Sequence, residues 1–93
     1  MSDMATARVL ITGRVQGVGF RYFVTSTAEK YPIKGYVRNL ETGAVEIEAE
    51  GDKKTVHDFL TVVRTGPRNA QVSEFQLEWK PFEGKYDEFS VKY

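Results

Sequence analysis

The hydrophobic pattern of this chain switches between a period of two and a period near 3.6, and the order of the switches leaves few folds open. Residues 7–15 alternate, with Val9, Ile11 and Gly13 on one side and Arg8, Leu10, Thr12 and Arg14 on the other, as in a half-buried strand. Residues 20–31 place Phe20, Phe23, Val24, Thr27, Ala28 and Tyr31 at helical spacing, and Pro32 marks the end because it cannot continue a helix comfortably. Residues 33–40 read as a second strand. The "LETG" that follows is a short turn in which Gly43 is expected at positive φ. Residues 44–50 alternate again, Val45, Ile47 and Ala49 against Glu46, Glu48 and Glu50, so the hairpin is expected to have one dry face and one wet, acidic face. Asp52 is a natural N-cap for a second helix whose apolar stripe is Val56, Phe59, Leu60 and Val63. Gly66 suits its C-terminal end, with Pro67 just beyond. Residues 72–79 form another strand with Phe75, Leu77 and Trp79 facing in. "PFEGKYDE" is a loop, and Phe89, Val91 and Tyr93 close the chain as a last short strand.

The order is β-α-β-β-α-β with a further short strand. Two helices on one face of an antiparallel sheet make an α+β two-layer sandwich, the ferredoxin-like split βαβ arrangement. That architecture hosts many functions and decides none of them. A chain of 93 residues suits one domain, expected over residues 7–93 behind a flexible tail at 1–6. Thirteen basic residues balance thirteen acidic ones, so the chain lacks the electrostatic footprint of a general nucleic-acid or membrane-surface binder. The absence of cysteine excludes disulfides and thiolate chemistry, and the single histidine, His57, leaves neither a His-rich metal centre nor a His pair for a relay. No signal peptide and no run near the ~20 apolar residues of a membrane span is visible, which gives a cytoplasmic expectation.

The strand-to-helix connection, "GRVQGVGFR" from Gly13 to Arg21, carries the first sign of chemistry. Gly17 and Gly19 allow a close backbone approach and inward-turned amides, and successive amides of this kind form an anion-binding concavity. The loop runs into a helix N-terminus, which also favours negative charge. A plain structural turn explains the glycines equally well. Arg21 shifts the balance, because a cation in the first helical turn is unfavourable by about 0.3–1 kcal/mol unless an anion sits against it. Its planar fork suits phosphate or carboxylate. Asn39 ends the second strand, where Asn is disfavoured unless it starts a turn. In a split βαβ the first and second strands run parallel on either side of the third, so Asn39 falls at the same sheet edge as the glycine loop. A carboxamide there can orient a water.

These residues resemble the acylphosphatase family. Gly13, Val15, Gln16, Gly17, Val18, Phe20 and Arg21 fit that family's first signature, and Gly35, Tyr36, Val37, Arg38, Asn39, Gly43, Val45 and Gly51 fit its second. The resemblance covers nearly the whole chain. It implies a hydrolase that cleaves the carboxyl–phosphate bond of acyl phosphates to a carboxylate and inorganic phosphate, with no metal or organic cofactor. It implies that the backbone of Gln16, Gly17, Val18, Gly19 and Phe20 and the guanidinium of Arg21 hold the phosphoryl group, and that Asn39 positions the attacking water. Inorganic phosphate is then product and competitive inhibitor, the enzyme is expected to be a monomer, and neither nucleic acid nor membrane is a partner. The "KYPIKG" stretch departs from the family, whose first helix usually ends near a glycine, so the helix end is expected to differ.

The residue inventory suits that reaction. The carboxylate leaving group has a conjugate acid of pKa ~4.3, like a Glu side chain, and departs without a general acid. A phosphate monoester would need its leaving alkoxide protonated or metal-bound. Other polar residues are set aside: His57 as exposed, Glu46, Glu48 and Glu50 as the solvated face of a strand, Lys53, Lys54 and Asp58 as helix surface, Trp79 as core, and Arg38 as pointing to the opposite sheet face from Asn39. Two other readings share the fold. An RNA-recognition module is disfavoured because Asn39 and Glu41 stand where its signature needs stacking aromatics. A module that holds an acyl or carbamoyl phosphate without turning it over, as in larger carbamoyl-transfer proteins with similar modules, remains open to assay.

Overall fold

A computed structural model describes residues 3–93. Strand β1 spans Met4–Arg14, helix α1 Phe20–Ala28, β2 Lys34–Asn39, β3 Val45–Asp52, α2 Lys53–Thr65, β4 Gln71–Pro81 and β5 Phe89–Val91. The strands form one sheet in the order β4-β1-β3-β2-β5. β3 lies antiparallel between β1 and β2, which are therefore parallel to one another, as a split βαβ requires. The added β5 pairs parallel with β2, so the sheet is mixed rather than purely antiparallel.

Each β–α crossover leaves and rejoins the sheet on the same side, which puts both helices on one face. Phe20, Val24, Val56, Phe59, Leu60 and Val63 from the helices meet Val9, Ile11, Val37, Val45, Ile47 and Ala49 from the sheet in a continuous buried cluster. Asp52 caps α2 as its sequence position predicts, its carboxylate accepting from the Lys54 amide at 3.1 Å. Gly66 ends that helix, and Gly43 turns the β2–β3 hairpin at φ 96°.

Four local expectations need correction. β1 begins at Met4, and Thr6, expected in a loose tail, is fully buried and paired opposite Glu50 and Lys80; Met1 and Ser2 lie outside the described residues. Helix α1 stops at Ala28 rather than Tyr31. The chain tightens there through Lys30 N–H to Thr27 O (3.0 Å) and Tyr31 N–H to Ala28 O (3.1 Å). Pro32 disfavours a helical Tyr31, so the helix unwinds before reaching it. Leu77 shares the side of Val9 but sits on an edge strand and stays 39% exposed, while Trp79 is only partly covered. The last strand stops at Val91, leaving Tyr93 outside it and exposed.

The largest correction concerns the glutamates of β3. Glu46, Glu48 and Glu50 do point away from the helices, but that face is not wet: all three are buried, at 3–4% exposure. The loop after β4 folds across Glu48 and Glu50. Glu50 accepts from the amides of Glu83 (3.2 Å), Gly84 (3.0 Å) and Lys85 (3.1 Å) and from the Thr6 hydroxyl (2.8 Å). Glu48 accepts from the Tyr86 hydroxyl (2.5 Å) and Lys80 Nζ (3.3 Å), with Lys85 Nζ at 3.4 Å. Glu46 accepts from Arg8 Nη2 and Arg38 Nε, both at 2.6 Å, and from the Tyr36 hydroxyl at 2.9 Å. Burial pushes the Glu46 and Glu48 carboxyls up, but the hydrogen bonds from these donors outweigh it and hold both below the ordinary carboxylate range.

Candidate active site

The register explains why the glycine loop and Asn39 share one place. Val45 of the central strand pairs with Ile11 on one side and Asn39 on the other. β1 then runs on to Arg14 and turns into the loop at the same sheet edge where β2 ends. Asn39 alternates with Val37, so its side chain lies on the helix side of the sheet. Arg38 lies on the other side, tied to Glu46, as its position in the alternation predicts.

The loop reaches the helix through two left-handed glycines, Gly17 at φ 74° and Gly19 at φ 79°. A Cβ on either would meet nothing within 4 Å, so backbone conformation rather than crowding calls for glycine there. Gly19 is the N-cap of α1, and its carbonyl accepts the first helical bond from Phe23 N–H at 2.9 Å. No side chain caps this end and its first turn carries no acid. The first-turn amides therefore have no intrahelical acceptor, and the positive end of the dipole is uncompensated by the chain.

These elements enclose a pocket of about 190 Å³. Its walls are Val15, Gly17 and Gly19 from the loop, Phe20, Arg21 and Tyr22 from the start of α1, and Asn39 from β2. Among the described residues Arg21 makes no ion pair; its guanidinium lies over the exposed Tyr93 ring, 5.4 Å from the centroid. The Asn39 carboxamide has no hydrogen-bond partner among them either. The pocket thus gathers a cation, an uncapped helix end and a free carboxamide, which can bind a small anion and orient a polar molecule beside it.

Of the sequence-predicted site residues, Gly17, Gly19, Phe20, Arg21 and Asn39 line this pocket. The Val18 side chain packs against the core, which leaves its backbone amide in the loop. Gln16 sends its side chain away to the hairpin, where Nε2 donates to Leu40 O at 2.8 Å and to Ala44 O at 2.9 Å. Tyr22 was missed by sequence reasoning, because an exposed aromatic on a helix surface carries no signal of its own. A wider groove of about 520 Å³ lies at the start of α2 beside Asp52, His57 and Trp79. That helix end is already capped by Asp52, and Lys53 lies over the Trp79 ring at 5.1 Å.

Comparison with known proteins identifies the family and the fold. The family model described as Acylphosphatase matches residues 7–91. An acylphosphatase of Bacillus pumilus is 47% identical over 83 residues, covering 89% of this chain and 92% of its own. The crystal structure of acylphosphatase from Bacillus subtilis superposes with a TM-score of 0.91 at 36% identity, covering 96% of this chain and 99% of that one. A full-length HypF, solved in a phosphate- and nucleotide-bound form, gives a TM-score of 0.86 at 29% identity over 99% of this chain but only 12% of its own. Matched from the first strand to the last and over nearly the full length of free-standing relatives, the chain belongs to the acylphosphatase family.

Proposed function

We propose that the chain cleaves the carboxyl–phosphate bond of acyl phosphates with the backbone of residues 16–20 and Arg21 holding the phosphoryl group and Asn39 positioning the water. The observation that carries this reading is the convergence on one pocket of a helix end without a side-chain cap and of the Arg21 and Asn39 side chains, which have no ion-pair or hydrogen-bond partner among the described residues. Phosphoryl transfer depends mostly on position and on charge stabilisation, and both are on offer there. Arg21 and the loop amides neutralise the equatorial oxygens. Asn39 sets the water opposite the acyl oxygen. The water oxygen bonds phosphorus as the phosphorus–acyl oxygen bond breaks. The electron pair departs on the carboxylate, and a phosphate oxygen takes the water's proton. Inorganic phosphate occupies the same pocket as product and competes with substrate. The enzyme works as a cytoplasmic monomer.

Hydrolysis of benzoyl phosphate, followed by absorbance with inorganic phosphate as competitor, tests these roles. Arg21→Ala is expected to weaken phosphate binding by about 10²- to 10⁴-fold, the loss of two charge-assisted hydrogen bonds. Asn39→Ala is expected to keep phosphate affinity and lose roughly 100-fold in turnover. An Asn39→Ala variant as fast as the parent sinks the water-positioning role. The alternative is a module that holds the phosphoryl group without hydrolysis; the HypF chain that shares this fold over one segment was solved in a phosphate- and nucleotide-bound form. Phosphate binding without benzoyl phosphate turnover in the parent chain favours that reading instead.

A further inference from the structure

We infer that the Gln16 side chain is a positioning residue: its carboxamide staples the phosphate loop to the hairpin that carries Asn39 and so sets the distance between the phosphoryl group and its water. The inference rests on the roles proposed above for Arg21 and Asn39. Both hydrogens of Gln16 Nε2 are spent on the β2–β3 turn, one on Leu40 O at 2.8 Å and one on Ala44 O at 2.9 Å. Leu40 follows Asn39 directly, and Ala44 precedes Val45, the register partner of Asn39. The turn is itself closed by Leu40 N–H to Ala44 O at 2.8 Å and Gly43 N–H to Leu40 O at 3.1 Å. Each carbonyl therefore accepts one bond from inside the hairpin and one from Gln16.

The physical need for such a link is plain from the topology. The loop and Arg21 belong to the β1–α1 connection, Asn39 to the end of β2, and β3 separates the two strands. Backbone ladders fix the strands, but the loop beyond Arg14 lies past the last ladder pair of β1. Two left-handed glycines make that loop permissive as well as accessible. The Gln16 amide is the side-chain link from the loop to the Asn39 hairpin. Only an amide NH2 at this length offers two donors without adding a charge beside the phosphoryl site. In-line attack is sensitive to displacement on the ångström scale, whereas phosphate binding, made within one connection, is not affected by the distance to Asn39.

Steady-state kinetics with benzoyl phosphate on Gln16→Ala and Gln16→Met tests this, each in the parent and in the Asn39→Ala background. Thermal midpoints identify the folded variants. Gln16→Met keeps the length and the neutrality but offers no donor to the two carbonyls, and it carries the test if Gln16→Ala fails to fold. The expected result is a fall in kcat of roughly 10- to 100-fold with the inhibition constant for phosphate within about threefold of the parent. No further loss is expected when Asn39 is already alanine, because the effect acts through that residue. Unchanged kcat overturns the inference. So does a parallel loss of phosphate affinity, or a loss that multiplies in the Asn39→Ala background. A fully active Asn39→Ala single variant instead overturns the water-positioning role beneath it, so the two failures are distinguishable.

Discussion

Replacing Glu46 by Gln tests whether the covered carboxylate face holds the sheet together. The Glu46 side chain is 3% exposed and receives Arg8 Nη2 and Arg38 Nε at 2.6 Å and the Tyr36 hydroxyl at 2.9 Å. Gln fits the same space. It removes the charge, and one of its two terminal atoms becomes a donor facing a donor. Breaking a buried pair with a stranded charge costs about 3–5 kcal/mol. The arginine side chains here are 42% and 35% exposed, so water recovers part of that. About 2–3 kcal/mol remains, from lost charge-assisted bonds and the mismatched amide. For a chain of this size that is a fall in Tm of roughly 10–20 °C. Circular dichroism melts at neutral pH measure it, and exposed Glu74→Gln serves as a control expected within about 0.5 kcal/mol of the parent. The loss should persist in 1 M salt, because a buried carboxylate is poorly screened. A Glu46→Gln midpoint indistinguishable from that of Glu74→Gln would refute the reasoning and mean that Arg8, Arg38 and Tyr36 cover this carboxylate without needing its charge.

Acid should unfold the chain through the same groups. Glu46 and Glu48 titrate below the ordinary value of 4.5 when folded, so their contribution is fully present above that value and is lost as pH falls below it through the folded values; a urea midpoint that does not drop between pH 6 and pH 3 contradicts this. Gly35→Ala should cost about 3 kcal/mol or more, because its φ is 149° and a Cβ would lie 1.8 Å from Glu48 O in the neighbouring strand. Gly17→Ala, at φ 74° with open space around it, should cost only about 1–2 kcal/mol, and equal melting temperatures for the two variants would contradict the crowding argument.

Much of the pocket's lining was legible in the sequence. Arg21 announces itself as a cation at a helix start with no acid beside it, and Asn39 as an amide at a strand end. Their meeting at one sheet edge follows from the β-α-β-β order, and the register through Val45 agrees. Pro32 limits α1 only to within a turn, since it does not say how far upstream the helix unwinds. The Gln16 carboxamide was invisible as a link, because a side chain's donors can be counted in a sequence but their acceptors cannot.

By itself the sequence determined the order of elements, the apolar side of each, the helix cap at Asp52 and the glycine-bearing loop between β1 and α1. All of these are set within a few residues by periodicity and local backbone chemistry. Alternation in β3 also determined that Glu46, Glu48 and Glu50 share a face. Only the tertiary structure decided that this face is dry. Period two separates two sides of a strand but does not say what lies over either one. The cover comes from residues 82–86, more than thirty positions away, whose amides, Lys85 and Tyr86 reach Glu48 and Glu50, while Arg8 and Arg38 reach Glu46 from the neighbouring strands. A buried carboxylate is tolerated only when such donors are delivered to it, and their delivery is a property of the assembled fold.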